Sequence, residues 1–201
     1  MPIFDTAPGL LAITAALAYL LGSVPFGIVM ARLFGLGDIR HIGSGNIGAT
    51  NVLRTGNKMA ALLTLVLDAG KGAIAVLVAR AFLAEDAVQL AAFAAFLGHC
   101  FPIFLRFKGG KGVATYLGTL MALFWPAGIA ACALWALTAA VTRYSSLSAL
   151  VAAALTPAAI YMLGMPTAGL LTLLLAALIF NRHEANIMRL LKGAEPKIGK
   201  S

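Results

Sequence analysis

Long apolar stretches without a charged side chain constrain the fold of this protein more than any other feature. Gly9 to Ala31, Val113 to Thr142 and Tyr144 to Asn181 contain no charged residue. A helix needs about 20 apolar residues to cross the hydrocarbon layer of a bilayer. The chain is 61% hydrophobic and 11% charged, with a mean hydropathy of +0.95. Such a composition argues against both a water-soluble globule and a disordered chain.

The two longest stretches are too long to be single membrane spans. As continuous helices, residues 113–142 and 144–181 would be roughly 45 and 57 Å long. Proline interrupts helices, so we expect breaks at Trp125-Pro126 and at Gly164-Met165-Pro166. The sequence therefore predicts one all-α membrane domain over residues 1–201 with seven transmembrane helices, near 9–33, 59–84, 87–105, 113–124, 127–142, 146–163 and 167–191.

The distribution of charge predicts how these helices are oriented. Seven spans place the N-terminus outside and the C-terminus in the cytoplasm, and all but two of the 15 Lys and Arg residues then belong to inside segments. The two exceptions, Lys71 and Arg80, lie within the second helix. The outside segments carry Asp5, Glu85 and Asp86 and no cation, as the positive-inside rule requires. A five-span alternative requires residues 113–142 to enter and leave on the same side.

The net charge and the cysteines exclude further classes of function. The net charge of +8 is more typical of a basic membrane rim than of a nucleic-acid partner in so apolar a chain. Cys100 and Cys132 lie inside apolar stretches and match no metal-ligand spacing. We therefore expect neither a metal site nor a disulfide framework.

A glycine-rich polar segment follows the first predicted helix. Residues 35–54 contain five glycines together with Ser44, Asn46 and Arg54. Glycine allows successive backbone N–H groups to turn toward an anion, and arginine adds a bidentate contact to phosphate. The segment predicts a phosphate-binding loop, and the alternative is a flexible connection between two helices.

A second basic segment precedes the fourth predicted helix. It reads Lys108-Gly109-Gly110-Lys111-Gly112. A helix N-terminus with free N–H groups and nearby lysines favours an anion. This is not a Walker A loop, because Leu105 and Gly112 stand where that motif needs Gly and Ser or Thr. We predict phosphate binding by these five residues, and the alternative is a basic turn against lipid headgroups.

The third polar segment covers residues 181–189. His183 and Asn186 are three residues apart and would share a helix face. Histidine suits a general base near neutral pH, and asparagine can orient a hydroxyl or stabilise an oxyanion. The alternative is an ordinary polar helix end at the membrane interface. Ser146, at the inner end of another helix, either caps that helix or bonds a phosphate oxygen.

Asp68, Lys71 and His99 are ionisable residues that fall within the predicted spans. Asp68 and Lys71 are one helical turn apart, and charges at this depth are expected to pair or to face the bundle interior. A structural ion pair is favoured over a role in proton or ion passage. His99 is expected to be a packing histidine rather than a ligand.

Taken together, the polar segments resemble a known family. GSGNIGATNVLR, GHCFPIFLRFKGGKGVAT and NRHEANIMRLLKGAEPK are similar to the three motifs of bacterial membrane glycerol-3-phosphate acyltransferases that use acyl phosphate as donor. The residues around Gly22 to Pro25 and Leu67 to Gly72 also match, so the resemblance covers nearly the whole chain. Each motif alone is weak, but three in this order and spacing are highly specific.

The resemblance implies a seven-helix enzyme of the bacterial inner membrane whose active site faces the cytoplasm. It implies acyl transfer from acyl phosphate to the 1-hydroxyl of sn-glycerol 3-phosphate, giving lysophosphatidate and phosphate. No cofactor, metal or nucleic acid is implied. The partners are the two substrates and membrane lipids, and the oligomeric state stays open, a monomer included.

The resemblance also implies roles for individual residues. The family's catalytic Ser and Arg correspond to Ser44 and Arg54, and its catalytic His and Asn correspond to His183 and Asn186. The family's glycine-lysine loop corresponds to residues 109–112, its serine after the fifth helix to Ser146, and its structural Glu to Glu195.

The residues leave two mechanisms and a second function class open. Either the glycerol hydroxyl attacks the acyl carbonyl directly, with His183 or the donor phosphate accepting the proton, or an acyl-Ser44 intermediate forms. The other function class is a small channel or transporter for phosphate-type anions. Asp68 and Lys71 support it, but transporters often contain repeated halves and no repeat is present here.

Overall fold

The computed structural model describes residues 5–199, and that part of the chain contains helices and turns but no strand. The all-α class predicted from the sequence is confirmed. The helices, in chain order, are α1 (Pro8–Ser23), α2 (Phe26–Leu33), α3 (Ala49–Leu53), α4 (Lys58–Phe82), α5 (Glu85–Cys100), α6 (Val113–Leu123), α7 (Trp125–Thr142), α8 (Ser145–Met162), α9 (Gly169–Arg182) and α10 (Glu184–Leu191). Short 3-10 turns lie at Ile39–His41, Ile103–Leu105 and Pro166–Ala168.

Several helices have the length and surface of membrane spans. Within residues 5–199, five helical stretches are long and apolar enough to cross a bilayer: Pro8–Leu33, Lys58–Phe82, Glu85–Leu105, Trp125–Thr142 and Ser145–Met162. Two shorter apolar helices cover Val113–Leu123 and Pro166–Arg182. Phe82, Val141 and Met162 are each more than four-fifths exposed. Many other large apolar side chains on these helices are also exposed, which suits contact with hydrocarbon.

Both helix breaks predicted inside the longest apolar stretches are present. Helix α6 ends at Leu123 and α7 begins at Trp125, with Pro126 in its first turn. Helix α8 ends at Met162, and α9 begins at Gly169 after a 3-10 turn. Proline fits a first helical turn because the N–H it lacks has no partner there in any case.

Two further breaks differ from the continuous helices expected over 9–33 and 167–191. Pro25 lacks the N–H that would continue α1, so the chain turns and α2 starts at Phe26. The carbonyl of Val24 accepts hydrogen bonds from Phe26 N (3.1 Å) and Lys71 Nζ (2.8 Å). His183, with φ −105° and ψ 9°, separates α9 from α10.

The helix contacts divide the chain into two compact units, up to Leu123 and from Phe124 onward. In the first unit, α5 packs against α1 and α4, and α4 also packs against α2, α3 and α6. Small residues allow this close packing in a membrane. A side chain at Gly98 would collide with the backbone of Tyr19 and Ser23, so α1 and α5 meet almost backbone to backbone.

In the second unit, α8 packs against α7, α9 and α10. The segment after α10 returns to the start of α8. Ile198 N donates to the carbonyl of Arg143 (2.7 Å), and Arg143 Nη2 donates to the carbonyl of Ile198 (2.9 Å). This return brings residues 193–199 beside Ser146 and the polar side chains of α10.

Candidate active site

The first polar loop begins with an internal ion pair. Arg40 donates from Nε and Nη2 to the two carboxylate oxygens of Asp38, at 2.8 and 2.6 Å. These side-chain hydrogen bonds hold the pKa of Asp38 far below its usual range and raise that of Arg40. Arg40 is thus already paired, and among the loop cations Arg54 is better placed to receive a phosphate.

Asn51 organises the turn that carries Ser44. Its Oδ1 accepts from Ser44 N (3.2 Å) and lies 3.4 Å from Ser44 Oγ, and its Nδ2 donates to the carbonyl of Ile39 (2.7 Å). Asn51 is 2% exposed, whereas Ser44 is exposed. A buried asparagine therefore joins two parts of the loop and presents the serine at the surface. Sequence reasoning missed Asn51, although it lies in the first motif.

Arg54 lies against the same turn. A Cβ at Gly43, which has φ +54°, would come 2.5 Å from Arg54 Nη1 and 2.8 Å from Asn51 Oδ1. Glycine adopts this φ without strain, and any larger residue would have to displace the Arg54 side chain. The Arg54 side chain therefore lies beside Gly43, the residue that precedes Ser44. Asn46 uses its own Oδ1 to accept from Ile47 N at 3.0 Å.

The glycines of the second motif have a packing role that the sequence analysis did not foresee. Side chains at Gly109 or Gly110 would collide with His99, and one at Gly112, with φ +81°, would collide with the ring of Phe96. The glycines thus let the turn lie directly on the C-terminal end of α5. Their presence is explained without an anion, so the case for phosphate here depends on the lysines.

The two lysines of this turn differ in exposure: Lys108 is exposed and Lys111 is partly buried. Leu105, just before the turn, packs on the apolar cluster that contains Ile39 and Ile47 of the first loop. Residues of the first and second motifs therefore pack in one apolar cluster within the first unit.

The charged pair predicted in α4 is present. Lys71 Nζ lies 2.8 Å from Asp68 Oδ1, and both residues are buried. His99, expected only to pack, lies with its Nδ1 3.6 Å from the same carboxylate oxygen.

His183 is buried at the junction of α9 and α10, where its Nδ1 lies 2.8 Å from the carbonyl of Ile179. A carbonyl can only accept, so Nδ1 carries the proton of the neutral ring and Nε2 carries the lone pair.

Glu195 is the centre of a hydrogen-bond network in the second unit. Its Oε1 accepts from Ser146 Oγ and Asn186 Nδ2, both at 2.6 Å, and its Oε2 accepts from Arg189 Nε at 2.7 Å. Burial raises the pKa of Glu195, but the three hydrogen bonds outweigh it and hold the pKa below its usual range. An ionised carboxylate is purely an acceptor, so it fixes the direction of every group that it binds.

This network bears on two of the predicted site residues. Ser146, expected at a phosphate, gives its one hydroxyl proton to Glu195 in this structure. Asn186 is 4% exposed, and its Oδ1 has no hydrogen-bond partner among residues 5–199. The network thus brings Ser146 and Asn186 together and leaves a buried carbonyl oxygen ready to accept. Arg189, a third member, was not predicted.

The chain resembles known proteins along nearly its whole length. The family model described as glycerol-3-phosphate acyltransferase matches residues 12–193. A glycerol-3-phosphate acyltransferase of Jannaschia sp. strain CCS1 is 72% identical over 201 residues, which is 100% of this chain and 99% of that protein. One from Cereibacter sphaeroides strain ATCC 17025 is 62% identical over 200 residues, which is 100% of this chain and 95% of that protein.

Two solved structures have the same fold. Both are crystal structures of PlsY (YgiH), an integral membrane glycerol 3-phosphate acyltransferase. The glycerol 3-phosphate form is 38% identical, covers 94% of this chain and 96% of its own, and has a TM-score of 0.89. The lysophosphatidic acid form is also 38% identical, covers 94% and 95%, and has a TM-score of 0.87. By sequence and by fold, the chain belongs to the glycerol-3-phosphate acyltransferase family.

Proposed function

We propose that this protein transfers a fatty acyl chain from acyl phosphate to the 1-hydroxyl of sn-glycerol 3-phosphate. The products are lysophosphatidate and inorganic phosphate. Family membership supports the acceptor, as do the two PlsY structures, whose glycerol 3-phosphate and lysophosphatidic acid forms correspond to a substrate and a product. An acyl phosphate is an activated mixed anhydride, so the transfer needs no nucleotide.

The buried carbonyl oxygen of Asn186 is the observation that carries the proposal. A buried acceptor without a partner costs about 1–3 kcal/mol, and a substrate hydroxyl would satisfy it. Because Glu195 accepts from the amide nitrogen and the amide oxygen has no partner among residues 5–199, we assign Asn186 to accept from the attacking hydroxyl and orient it. This choice was open from the sequence alone.

The chemical step is a direct displacement at the acyl carbonyl. The glycerol oxygen forms a bond to the carbonyl carbon, the bond from that carbon to the phosphate oxygen breaks, and phosphate leaves. His183 Nε2 accepts the hydroxyl proton, since hydrogen bonding of Nδ1 to Ile179 leaves the lone pair on Nε2. The departing phosphate is the alternative acceptor of this proton.

The phosphate groups are assigned to the cationic loops. Ser44, Asn46 and Arg54 hold one phosphate, which is supported by the hydrogen bond from Ser44 N to Asn51 and by the position of Arg54 beside Gly43. Lys108 and Lys111, on the Gly109–Gly112 turn, hold the other and stabilise the charge that develops on the carbonyl oxygen. Ser146 contributes indirectly, by fixing Glu195 and through it Asn186.

We further propose a seven-span topology within one membrane domain, with the N-terminus outside and the C-terminus in the cytoplasm. Thr6 N and Oγ1 donate to Asp86 at 2.9 and 2.6 Å, which joins the two segments assigned to the outside. The cation-rich segments then face the cytoplasm of a bacterial inner membrane, where glycerol 3-phosphate arrives. Lys200, one of these cations, lies outside the described residues.

Product formation by the purified protein tests the reaction. The protein in lipid nanodiscs is incubated with palmitoyl phosphate and labelled sn-glycerol 3-phosphate. Labelled lysophosphatidate and free phosphate are then quantified and are expected in a one-to-one ratio. Palmitoyl-CoA replaces the donor in a parallel reaction and is expected to give no product. Folded protein that makes no lysophosphatidate from palmitoyl phosphate would overturn the proposal.

A further inference from the structure

One carboxylate deep in the first unit joins two helices. Asp68 on α4 and His99 on α5 are 2% and 4% exposed, and Lys71 is as buried as Asp68. Asp68 Oδ1 lies 2.8 Å from Lys71 Nζ and 3.6 Å from His99 Nδ1. A single oxygen therefore lies between an ammonium and an imidazole. The proposed reaction uses none of these three residues.

The lysine side of this cluster is anchored independently. Lys71 Nζ donates to the carbonyl of Val24, at the break between α1 and α2. Buried ion pairs often contribute less to stability than well-packed apolar residues would, and their best-attested use is to fix one arrangement. With Lys71 held by Val24, Asp68 is fixed in turn and presents the same oxygen to His99.

The histidine side of the cluster reaches the second motif. Gly110 N donates to the backbone carbonyl of His99 at 3.1 Å. The imidazole also packs on Gly110, where an added Cβ would lie 3.0 and 3.1 Å from Cε1 and Cδ2 and would collide with Nε2. A Cβ added at Gly109 would collide with the same carbonyl oxygen of His99. Both the backbone and the ring of His99 therefore support the turn that leads into Lys111.

We propose that His99 is a positioning residue for the phosphate-binding turn. Asp68, held by Lys71, fixes the imidazole, and the imidazole fixes Gly109 and Gly110 so that Lys111 points toward its phosphate. The inference depends on the proposed function for what Lys111 binds. His99 acts through this turn and makes no contact with substrate.

A histidine that only fills space would behave differently on substitution. His99→Phe keeps a ring of similar breadth and loses the interaction with Asp68. His99→Gln loses the ring and keeps an amide that can donate to that carboxylate. Asp68→Asn is a poorer test, because it leaves Lys71 buried without a counter-charge.

A double-mutant cycle with Lys111→Ala measures whether His99 acts through Lys111. His99→Phe is expected to raise KM for one of the two phosphate substrates about tenfold, because Lys111 is no longer held toward its phosphate. In the Lys111→Ala background the same substitution is expected to change KM by less than about twofold. His99→Gln is expected to restore KM to within about threefold of the unsubstituted enzyme. Equal effects of His99→Phe in both backgrounds, or no effect on KM, would overturn the inference.

Hydrogen exchange tests the same inference without turnover. The amides of residues 109–112 are expected to exchange at least about tenfold faster in His99→Phe, because their support is lost. Val76→Ala is the matched control: Val76 is fully buried on α4, about 12 Å along the helix from Asp68. It should lower the melting temperature without changing KM or this exchange.

The two measurements separate the two proposals. Wild-type protein without lysophosphatidate synthesis contradicts the proposed function, whatever the exchange result. Unchanged exchange of residues 109–112 in a folded His99→Phe or His99→Gln variant contradicts the positioning role, even when the wild-type protein is active.

Discussion

Asn186 donates from Nδ2 to Glu195 Oε1 across 2.6 Å, and its own carbonyl oxygen, also buried, has no hydrogen-bond partner among residues 5–199. The amide nitrogen of Asn186 is thus a donor to Glu195, and the amide oxygen is left as an acceptor. A carboxylate that is kept ionised cannot donate, so the amide cannot reverse without placing its oxygen against negative charge. Glu195 thereby decides which atom of Asn186 faces the proposed hydroxyl.

Exchanging the two functional groups tests this assignment. The glutamine of Glu195→Gln can donate to Asn186 and so reverse the Asn186 amide. Asn186→Asp places two carboxylates next to each other. Each substitution is expected to lower kcat about 10–100-fold. The combined variant Asn186→Asp, Glu195→Gln restores a donor–acceptor pair and an outward oxygen. Lysophosphatidate synthesis should recover at least about tenfold over the poorer single variant.

One result for the combined variant would contradict the assignment of the Asn186 oxygen. A combined variant no more active than either single variant, although equally well folded by size-exclusion chromatography and melting temperature, would mean that the oxygen of Asn186 has no directional role. Ser146→Ala provides a second comparison, because it removes another hydrogen bond to Glu195. It should lower kcat without changing KM for glycerol 3-phosphate.

Two arginines of one loop offer a matched pair. Arg54→Lys is expected to raise KM for a phosphate substrate about tenfold, because a lysine cannot make the bidentate contact. Arg40→Lys makes the same type of substitution in the same loop, but Arg40 is already paired with Asp38. Its KM values should stay within about twofold of wild type. Steady-state kinetics with each substrate varied in turn measure both, and equal effects of the two substitutions would contradict the assignment of Arg54.

Asn51 and Asn57 provide a similar comparison. Asn51→Ala removes the hydrogen bonds that join Ser44 to Ile39 and is expected to lower the free energy of unfolding by about 1–3 kcal/mol. Asn57→Ala removes the cap of α4 and should cost about 1 kcal/mol. Only Asn51→Ala should also lower kcat/KM. Denaturation monitored by circular dichroism and initial rates measure the two effects, and an active Asn51→Ala variant would contradict the role of the turn.

Acid should weaken the second unit through Glu195. Its folded-state pKa lies below the ordinary value of about 4.3, so it stabilises the fold above that value. That stabilisation is lost as the pH falls from the ordinary value through the lower folded-state pKa. Melting temperatures between pH 7 and 3 should therefore fall more steeply for wild type than for Glu195→Gln. Parallel curves would contradict the prediction.

Asp38 is the control for this pH dependence, since its pKa is also lowered, by hydrogen bonds from Arg40. Asp38 lies at the surface in an exposed loop, so the contribution of its ion pair is screened by solvent and should be small. Asp38→Asn should therefore follow the wild-type curve much more closely than Glu195→Gln does.

Local signals in the sequence predicted much of the helix layout. Pro126 and Pro166 produce breaks where they were expected, because proline acts on its own backbone. Pro25 carries the same signal but lies inside one unbroken apolar stretch, and the prediction passed over it. The break at His183 has neither proline nor glycine nearby, so no local pattern indicates it.

In the candidate site, too, local signals in the sequence could be interpreted, whereas contacts between distant residues could not. Arg54 was predicted from its place in the glycine-rich segment and Ser44 from the family resemblance, and Arg54 lies beside Gly43, which precedes Ser44. The role of Glu195 depends on Ser146, which is 49 residues away in sequence. The role of His99 depends on how α4 and α5 approach each other. Such long-range contacts are set by helix packing and leave no periodic signal in the chain.

The hydrogen bond from Lys71 to Val24 also bears on how the protein enters its membrane. Helix α4 carries a carboxylate and an ammonium into hydrocarbon, which is costly for an isolated helix. Because synthesis proceeds from the N-terminus, α1 and α2 precede α4, and the Val24 carbonyl is in place before Lys71 arrives. His99 follows on α5. The order of the chain therefore supplies the carbonyl that receives Lys71 before Lys71 itself, and it brings Asp68 in on the same helix as its ammonium partner.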